Sequence, residues 1–293
     1  MTKKTHLYNL IMVISFFALW VSIQIPESME FILGYFLILT IGVGHGANDL
    51  KVYFNRKTFS IRKKITFLSI YSLTVLIGFG LFFIIPEFIL TLFIIISGYH
   101  FGQEHFEKYE VKNTWYYKIF IGSYGIIIIL TLLTIHLEES MLIINDLLNS
   151  ELVGEVLLYP LIIVVATMLL SFLKFARLFS WKEILKECFY LLLIYTLFSA
   201  SSLVWGFAIY FILWHSIPSI YSQISYLQGA VNKKSIKKYI LDSLLYWIAA
   251  LVFLAVLYYF LSDYTNLFLS TIIAFLGGIT FPHVFVMNKL NNK

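Results

Sequence analysis

The chain has 293 residues, of which 60% are hydrophobic and only 13% charged, and its mean hydropathy is +0.87. These values exclude an ordinary soluble domain and imply an integral membrane protein. The net charge of +5 calls for no nucleic-acid partner, because the basic residues sort by loop as a membrane topology requires, and the lone Cys188 excludes an internal disulfide or a thiolate cluster.

Apolar runs long enough to cross a bilayer occupy residues 8–25, 30–48, 65–84, 88–106, 116–136, 157–176, 187–201, 203–227, 240–262 and 266–287. They predict an all-α polytopic bundle of about ten transmembrane helices, forming a single integral-membrane domain over 1–293. The first run follows Lys3 and Lys4 and lacks a small-residue cleavage site before Pro26, so it reads as a retained span. Around 137–156, apolar residues such as Met141, Leu142, Leu147 and Leu148 alternate with acids, the pattern of a short helix on the outer interface. At Ser199–Ser202 a long apolar stretch must either turn back or continue as one broken helix.

Charge tests this topology independently of hydropathy. With the N-terminus inside, all 21 Lys and Arg fall on the cytoplasmic side, in the segments around 3–4, 51–64, 108–118, 174–186, 233–238 and 289–293. The other side carries carboxylates: Glu27, Glu30, Glu87, Asp263 and the acidic 138–155 segment. The expected location is the cell (inner) membrane, multi-pass, with both termini cytoplasmic.

Five of the seven histidines lie on even-numbered spans running from outside to inside. His45 ends span two, His100 and His105 end span four, His215 lies in span eight and His283 near the end of span ten. They share the cytoplasmic half of the membrane, where polar groups are costly and a cluster points to function. Gly44-His45-Gly46-Ala47-Asn48-Asp49 and Tyr99-His100-Phe101-Gly102-Gln103-Glu104 each place a carboxylate four residues after a histidine, on one face of a regular helix. Asp49 and Glu104 are therefore expected to orient imidazoles as hydrogen-bond acceptors, which raises their basicity as metal ligands. Gly42, Gly44, Gly46, Gly98 and Gly102 allow helices to approach closely around these histidines.

Imidazole ligands suit iron, zinc and copper, and the lack of a close carboxylate cluster argues against calcium or magnesium. The H-E-x-x-H of a membrane zinc protease is absent, and so are the histidine boxes with which membrane desaturases hold two irons. One Fe(2+) held mainly by neutral histidines, with an open position for dioxygen, fits best.

Gly44-His45-Gly46-Ala47-Asn48-Asp49, Tyr99-His100-Phe101-Gly102, Trp214-His215-Ser216 and Phe281-Pro282-His283, in this order over about ten spans, resemble the Brp/Blh family of membrane carotene dioxygenases. The resemblance covers nearly the whole chain. It implies iron-dependent cleavage of the central 15,15′ double bond of β-carotene by O2 to two molecules of retinal, in the lipid bilayer, with a functional link to a microbial rhodopsin. It also implies His45, His100 and His215 as iron ligands. Members of that family can carry a further histidine four residues after the Trp-His-Ser histidine, where this chain has Ser219; His283 or His105 then supplies the fourth ligand. His105 lies about 140° round a regular helix from His100, so His283, on another helix, is the easier of the two. The aromatics Phe101, Tyr210, Trp214 and Phe281 lie near the histidines and are expected to line a tunnel for the flat polyene. A forty-carbon chain is about as long as the hydrocarbon core is thick, yet His45 is only about 9 Å of helix from Lys51. The substrate would then enter tilted through a lateral opening, or these helices would project into the cytoplasm.

Two other readings stay open: an iron-dependent oxygenase of another polyene or isoprenoid, and a metal transporter. A transporter should present ligands to both faces near the midplane, whereas the outer halves of these spans carry almost no ionisable groups. A rhodopsin needs a Schiff-base lysine within a span, and the lysines here belong to loops and span ends.

Overall fold

Long runs of Leu, Ile, Phe and Val, punctuated by Pro, Ser, Thr and Asn, fold into thirteen α-helices and no strand among the residues described by the computed structural model, which are 3–54, 60–109, 114–261 and 267–291. They are α1 (Lys3–Gln24), α2 (Glu27–Leu37), α3 (Asp49–Phe54), α4 (Ile61–Ile84), α5 (Pro86–Phe106), α6 (Trp115–Ile135), α7 (Leu137–Leu148), α8 (Glu155–Phe172), α9 (Trp181–Ser199), α10 (Leu203–Ile209), α11 (Ile217–Gln228), α12 (Lys233–Leu261) and α13 (Leu267–Asn291). π-helical segments at Ile38–Gly42 and Tyr210–Ser216 extend α2 and join α10 to α11. The acidic stretch after 137 forms the helix α7, which is followed by Asn149 in the left-handed region at φ 49.

The helix starts follow local chemistry. Pro86 opens α5, where its missing N–H costs nothing. Thr114 accepts from Tyr117 N at 3.3 Å, and Ser180 and Glu183 form a reciprocal capping box at α9. The ambiguous stretch at 199–202 is a break: α9 ends at Ser199, Ser202 caps Trp205 N, and α10 packs back on α9.

The chain is an all-α polytopic membrane protein. Among the described residues seven helices are long and apolar enough to cross a bilayer: Lys4–Gln24, Ile61–Ile84, Trp115–Ile135, Glu155–Phe172, Leu203–Gln228, Lys233–Phe260 and Ser270–Leu290. Three other expected spans fall short of that standard for visible reasons. The one at 30–48 leaves the α-helical form after Leu37; α5 carries His100, Gln103, Glu104 and His105; α9 opens with Lys182, Glu183, Lys186 and Glu187. The stretches around 57 and 112, and Asp263, lie outside the described residues.

The chain divides into two compact units. The first comprises Met1–Ile38, Ser97–Met141 and Leu152–Pro218. In it α1 packs on α9, α6 on α8, and α10 on α2. Trp205 and Trp214 donate their indole N–H to Ser22 and Ser15 of α1 at 2.7 and 3.0 Å. A Cβ on Gly102 would lie 1.8 Å from the Ile121 carbonyl oxygen, so α5 and α6 touch backbone to backbone there. The second unit comprises Leu39–Ile96, Leu142–Glu151 and Ser219–Lys293. Here α13 packs against α3, α4 and α12, around Phe82, Ile89 and Ala274 in one cluster and Val52, Leu227 and Val286 in another.

Candidate metal centre

In the second unit the histidine positions begin with a helix that fails. The chain enters the π-helical turn Ile38–Gly42 and leaves helix altogether at 45–48, where Ala47 N bonds Gly44 O at 3.2 Å and Asp49 N bonds Gly46 O at 3.1 Å. The extra residue of the π turn disturbs the carbonyl ladder. Trp247 Nε1 donates to Leu39 O at 2.8 Å, and Gly42 O faces His45 Nδ1. Asp49 therefore does not stand one helical turn behind His45. Its carboxylate meets His283 instead, with Nδ1 at 2.9 and 3.0 Å from the two oxygens, and also accepts the Tyr71 hydroxyl at 2.8 Å.

The His45 and His283 rings pack edge to face, centroids 4.7 Å apart, both buried. Each ring's Nδ1 faces an oxygen acceptor, which favours the tautomer with the proton on Nδ1 and the lone pair on Nε2, the arrangement in which an imidazole can serve as a metal ligand. The main chain of His45 is held as well: Gln223 Nε2 donates to its carbonyl at 3.0 Å, and the Tyr239 hydroxyl lies 3.1 Å from the same oxygen and 2.9 Å from Gln223 Oε1. Gln223 Nε2 also reaches Ser219 Oγ at 3.3 Å. Ser219 thus belongs to the hydrogen-bond network behind His45.

In the first unit α5 stays regular through His100, and His215 sits in the π-helical segment Tyr210–Ser216. Pro218 follows and has no N–H to return to the Trp214 carbonyl, a local cause for the widened turn. The His100 and His215 rings are 4.8 Å apart at 76°, each 1% exposed. Phe101 lies 4.5 Å from His215, Phe211 stacks on it at 5.5 Å, and Phe207 stacks on Phe211 at 5.2 Å. One side of this histidine pair is therefore walled by aromatic rings.

His105 belongs to a different network. Its Nε2 lies 2.6 Å from Glu187, 3.1 Å from Lys108 Nζ and 3.3 Å from the Tyr124 hydroxyl, and its ring stacks on Tyr124. Burial holds the Lys108 ammonium down at about 8, against the pull of the Glu187 carboxylate 2.8 Å away. Trp214 stands beside this network, 6.2 Å from the His105 ring and 4.9 Å from Tyr190. Of the other expected residues, Glu104 is buried with Lys4 Nζ 4.0 Å away, Tyr210 packs on Phe101 at 5.7 Å, and Phe281 packs with the Phe82 cluster between α4 and α13. Tyr71, Gln223 and Tyr239, which position the second-unit pair, carry no mark in the sequence, since each is an ordinary aromatic or amide within an apolar helix.

Each unit thus offers a pair of buried imidazoles, with carboxylate and carbonyl acceptors behind the second unit's pair, and the one cysteine, Cys188, is exposed on α9. That chemistry suits ferrous iron or another borderline first-row metal and not a hard oxygen-seeking cation.

Fold and site together define a polytopic helical membrane protein with a histidine-based candidate metal centre. Residues 36–291 match the family model described as beta-carotene 15,15'-dioxygenase, and the chain belongs to that family. No curated protein and no solved structure matches it.

Proposed function

We propose that this protein is an iron-dependent dioxygenase that cleaves the central 15,15′ double bond of β-carotene with O2. Family membership over 36–291, a span that includes His45, His100, His215 and His283, carries this reading. The reaction balances without a reductant: the double bond breaks, each of its carbons takes one oxygen atom, and two molecules of retinal result. His45, His100, His215 and His283 would hold one Fe(2+), which when bound supplies the activation of dioxygen. His283 is preferred to His105 as fourth ligand because Asp49 backs it, whereas His105 is committed to Glu187 and Lys108.

The chain's own residues orient and exclude. Asp49 and the Gly42 carbonyl set the tautomers of His283 and His45. Gln223 and Tyr239 fix the His45 backbone. Phe101 and Phe211 cover His215 with apolar surface that keeps water from the reacting polyene. The product would be available to a retinal-binding rhodopsin in the same membrane.

The test is metal and product analysis of the purified protein. About one iron per chain and retinal as sole product from β-carotene are expected. His45→Ala, His100→Ala, His215→Ala and His283→Ala should each deplete iron and abolish cleavage, while His105→Ala should retain iron. Full iron with normal turnover in any of the first four removes that residue from the ligand set; cleavage of another polyene but not β-carotene changes the substrate.

A further inference from the structure

The second unit contains a cavity of about 370 Å³ between α4, α12, α13 and the chain around residues 43–50. Small residues, Gly46, Ala47, Ala249 and Ala250, create the space, and Val75, Phe253 and Ile279 supply much of its apolar wall. On one side its lining residues Ser72, Leu76 and Ala249 are exposed on the outer surfaces of α4 and α12, two helices apolar enough to span a bilayer. The cavity's mouth therefore faces lipid. On the other side it ends at Asp49, Tyr71 and Gly46. Asp49 holds His283, and a Cβ on Gly46 would lie 3.5 Å from His283 Nδ1, so the inner end abuts the His45–His283 pair.

We infer that this cavity seats one end of an isoprenoid polyene, which enters sideways from the bilayer between α4 and α12 and runs inward toward the His45–His283 pair. The inference rests on the proposed dioxygenase reading and adds to it the place and route of the substrate. The lining holds one charged side chain, Asp49, whose oxygens are already taken by His283 and Tyr71, and beyond these only the hydroxyls of Ser72 and Tyr246 interrupt a wall of apolar side chains, so the cavity suits an apolar ligand. The volume lies at the low end of small-molecule pockets, about 300–1,000 Å³. That is room for part of a chain about 30 Å long, the thickness of the hydrocarbon core, and not for all of it. Central cleavage requires this division, since the ends must extend away from the metal while the middle lies beside it. A phospholipid acyl chain shares the same apolar, linear chemistry, and the experiment must separate the two.

The full chain in lipid nanodiscs is photolabelled with a diazirine-bearing isoprenoid, and the labelled peptides are mapped with and without excess β-carotene. Label is expected in residues 67–76 or 246–253, displaced by β-carotene. Ala250→Trp and Val75→Phe, which fill the cavity, should lose that label and raise KM for β-carotene by about tenfold or more, the scale set by lost pocket contacts, at unchanged iron content. Label that β-carotene fails to displace marks an acyl-chain site only and overturns the inference, as does label confined to other helices. Should both variants fail to fold, the displacement map of the unaltered chain decides alone. Normal cleavage with no displaceable label removes the seat and leaves the activity standing. Displaceable label without cleavage keeps the seat and removes the activity.

Discussion

Asp49 shows how much one carboxylate does here. It is 3% exposed, and both oxygens face the His283 imidazole while one also accepts from Tyr71. Asp49→Asn keeps the shape but removes the charge that makes the imidazole a better donor, so iron affinity should fall about 10–100-fold. Tyr71→Phe should act in the same direction and less, because it frees the carboxylate to turn without neutralising it. Titration of the purified variants with ferrous iron measures both. Complete loss of iron in Asp49→Asn at saturating ferrous concentration would make Asp49 a ligand in its own right. The sequence marked Asp49 as the partner of a histidine, but not of which one. The local spacing pointed to His45, whereas His283, 234 positions away, is brought in by the packing of α13 on α3. His105 was a rival ligand by residue type and by its place at the end of span four; its acceptor, Glu187, lies on α9 and only the fold discloses the pairing.

At the scale of elements, hydropathy finds long helices but not where they are interrupted. The breaks at 38–48 and 210–216 occur inside apolar runs, and both contain or adjoin a histidine, because π turns and tight turns redirect side chains that a regular helix would aim elsewhere. The assumption of a regular helix held for His100 and Glu104 on α5 and failed for His45 and Asp49. The small-residue pattern was more legible. Gly98 and Gly102 flank His100, and on α5 they press against α6: a Cβ on Gly98 would lie 2.7 Å from Ile126 N. Gly102→Ala should push the helices apart and cost about 1–3 kcal/mol by overpacking, seen as a lower midpoint of denaturant unfolding in detergent, together with weakened iron binding through the displaced His100. Gly80, with open space around its Cβ position, is the control: Gly80→Ala should change neither. Equal behaviour of the two variants would mean that the α5–α6 contact does not hold His100 in place.

For the molecule as a whole, the strongest sequence signal is the sorting of charge, and each unit repeats it in its own contacts. In the first unit Lys4 pairs with Glu107, Lys108 with Glu187 at 2.8 Å, and Lys186 with Asn9 at 2.9 Å, which gathers the starts of α1 and α9 and the end of α5. Its opposite end has Glu30 on Ser202 N at 2.7 Å and His136 on Phe198 O at 3.0 Å, contacts free of Lys and Arg. In the second unit Lys51 pairs with Asp242 at 2.6 Å and Lys289 donates to Tyr53 O at 3.3 Å, while Ser270 donates to Asp146 at 2.6 Å near the start of α13. Since cytoplasmic ends are the basic ones, both termini and the 233–238 cluster should face the cytoplasm and the acidic segment at 138–155 the other side. Glu151→Cys and Lys234→Cys, each made in a Cys188→Ala background, test this, because all three positions are exposed. A membrane-impermeant thiol reagent applied to intact cells should label position 151 and spare 234. The reverse result would invert the topology. Label at both would mean an even number of crossings between them in place of the expected three, and His100 and His215, which the alternation of spans puts at the same membrane face, would lose the argument that they meet from the cytoplasmic half.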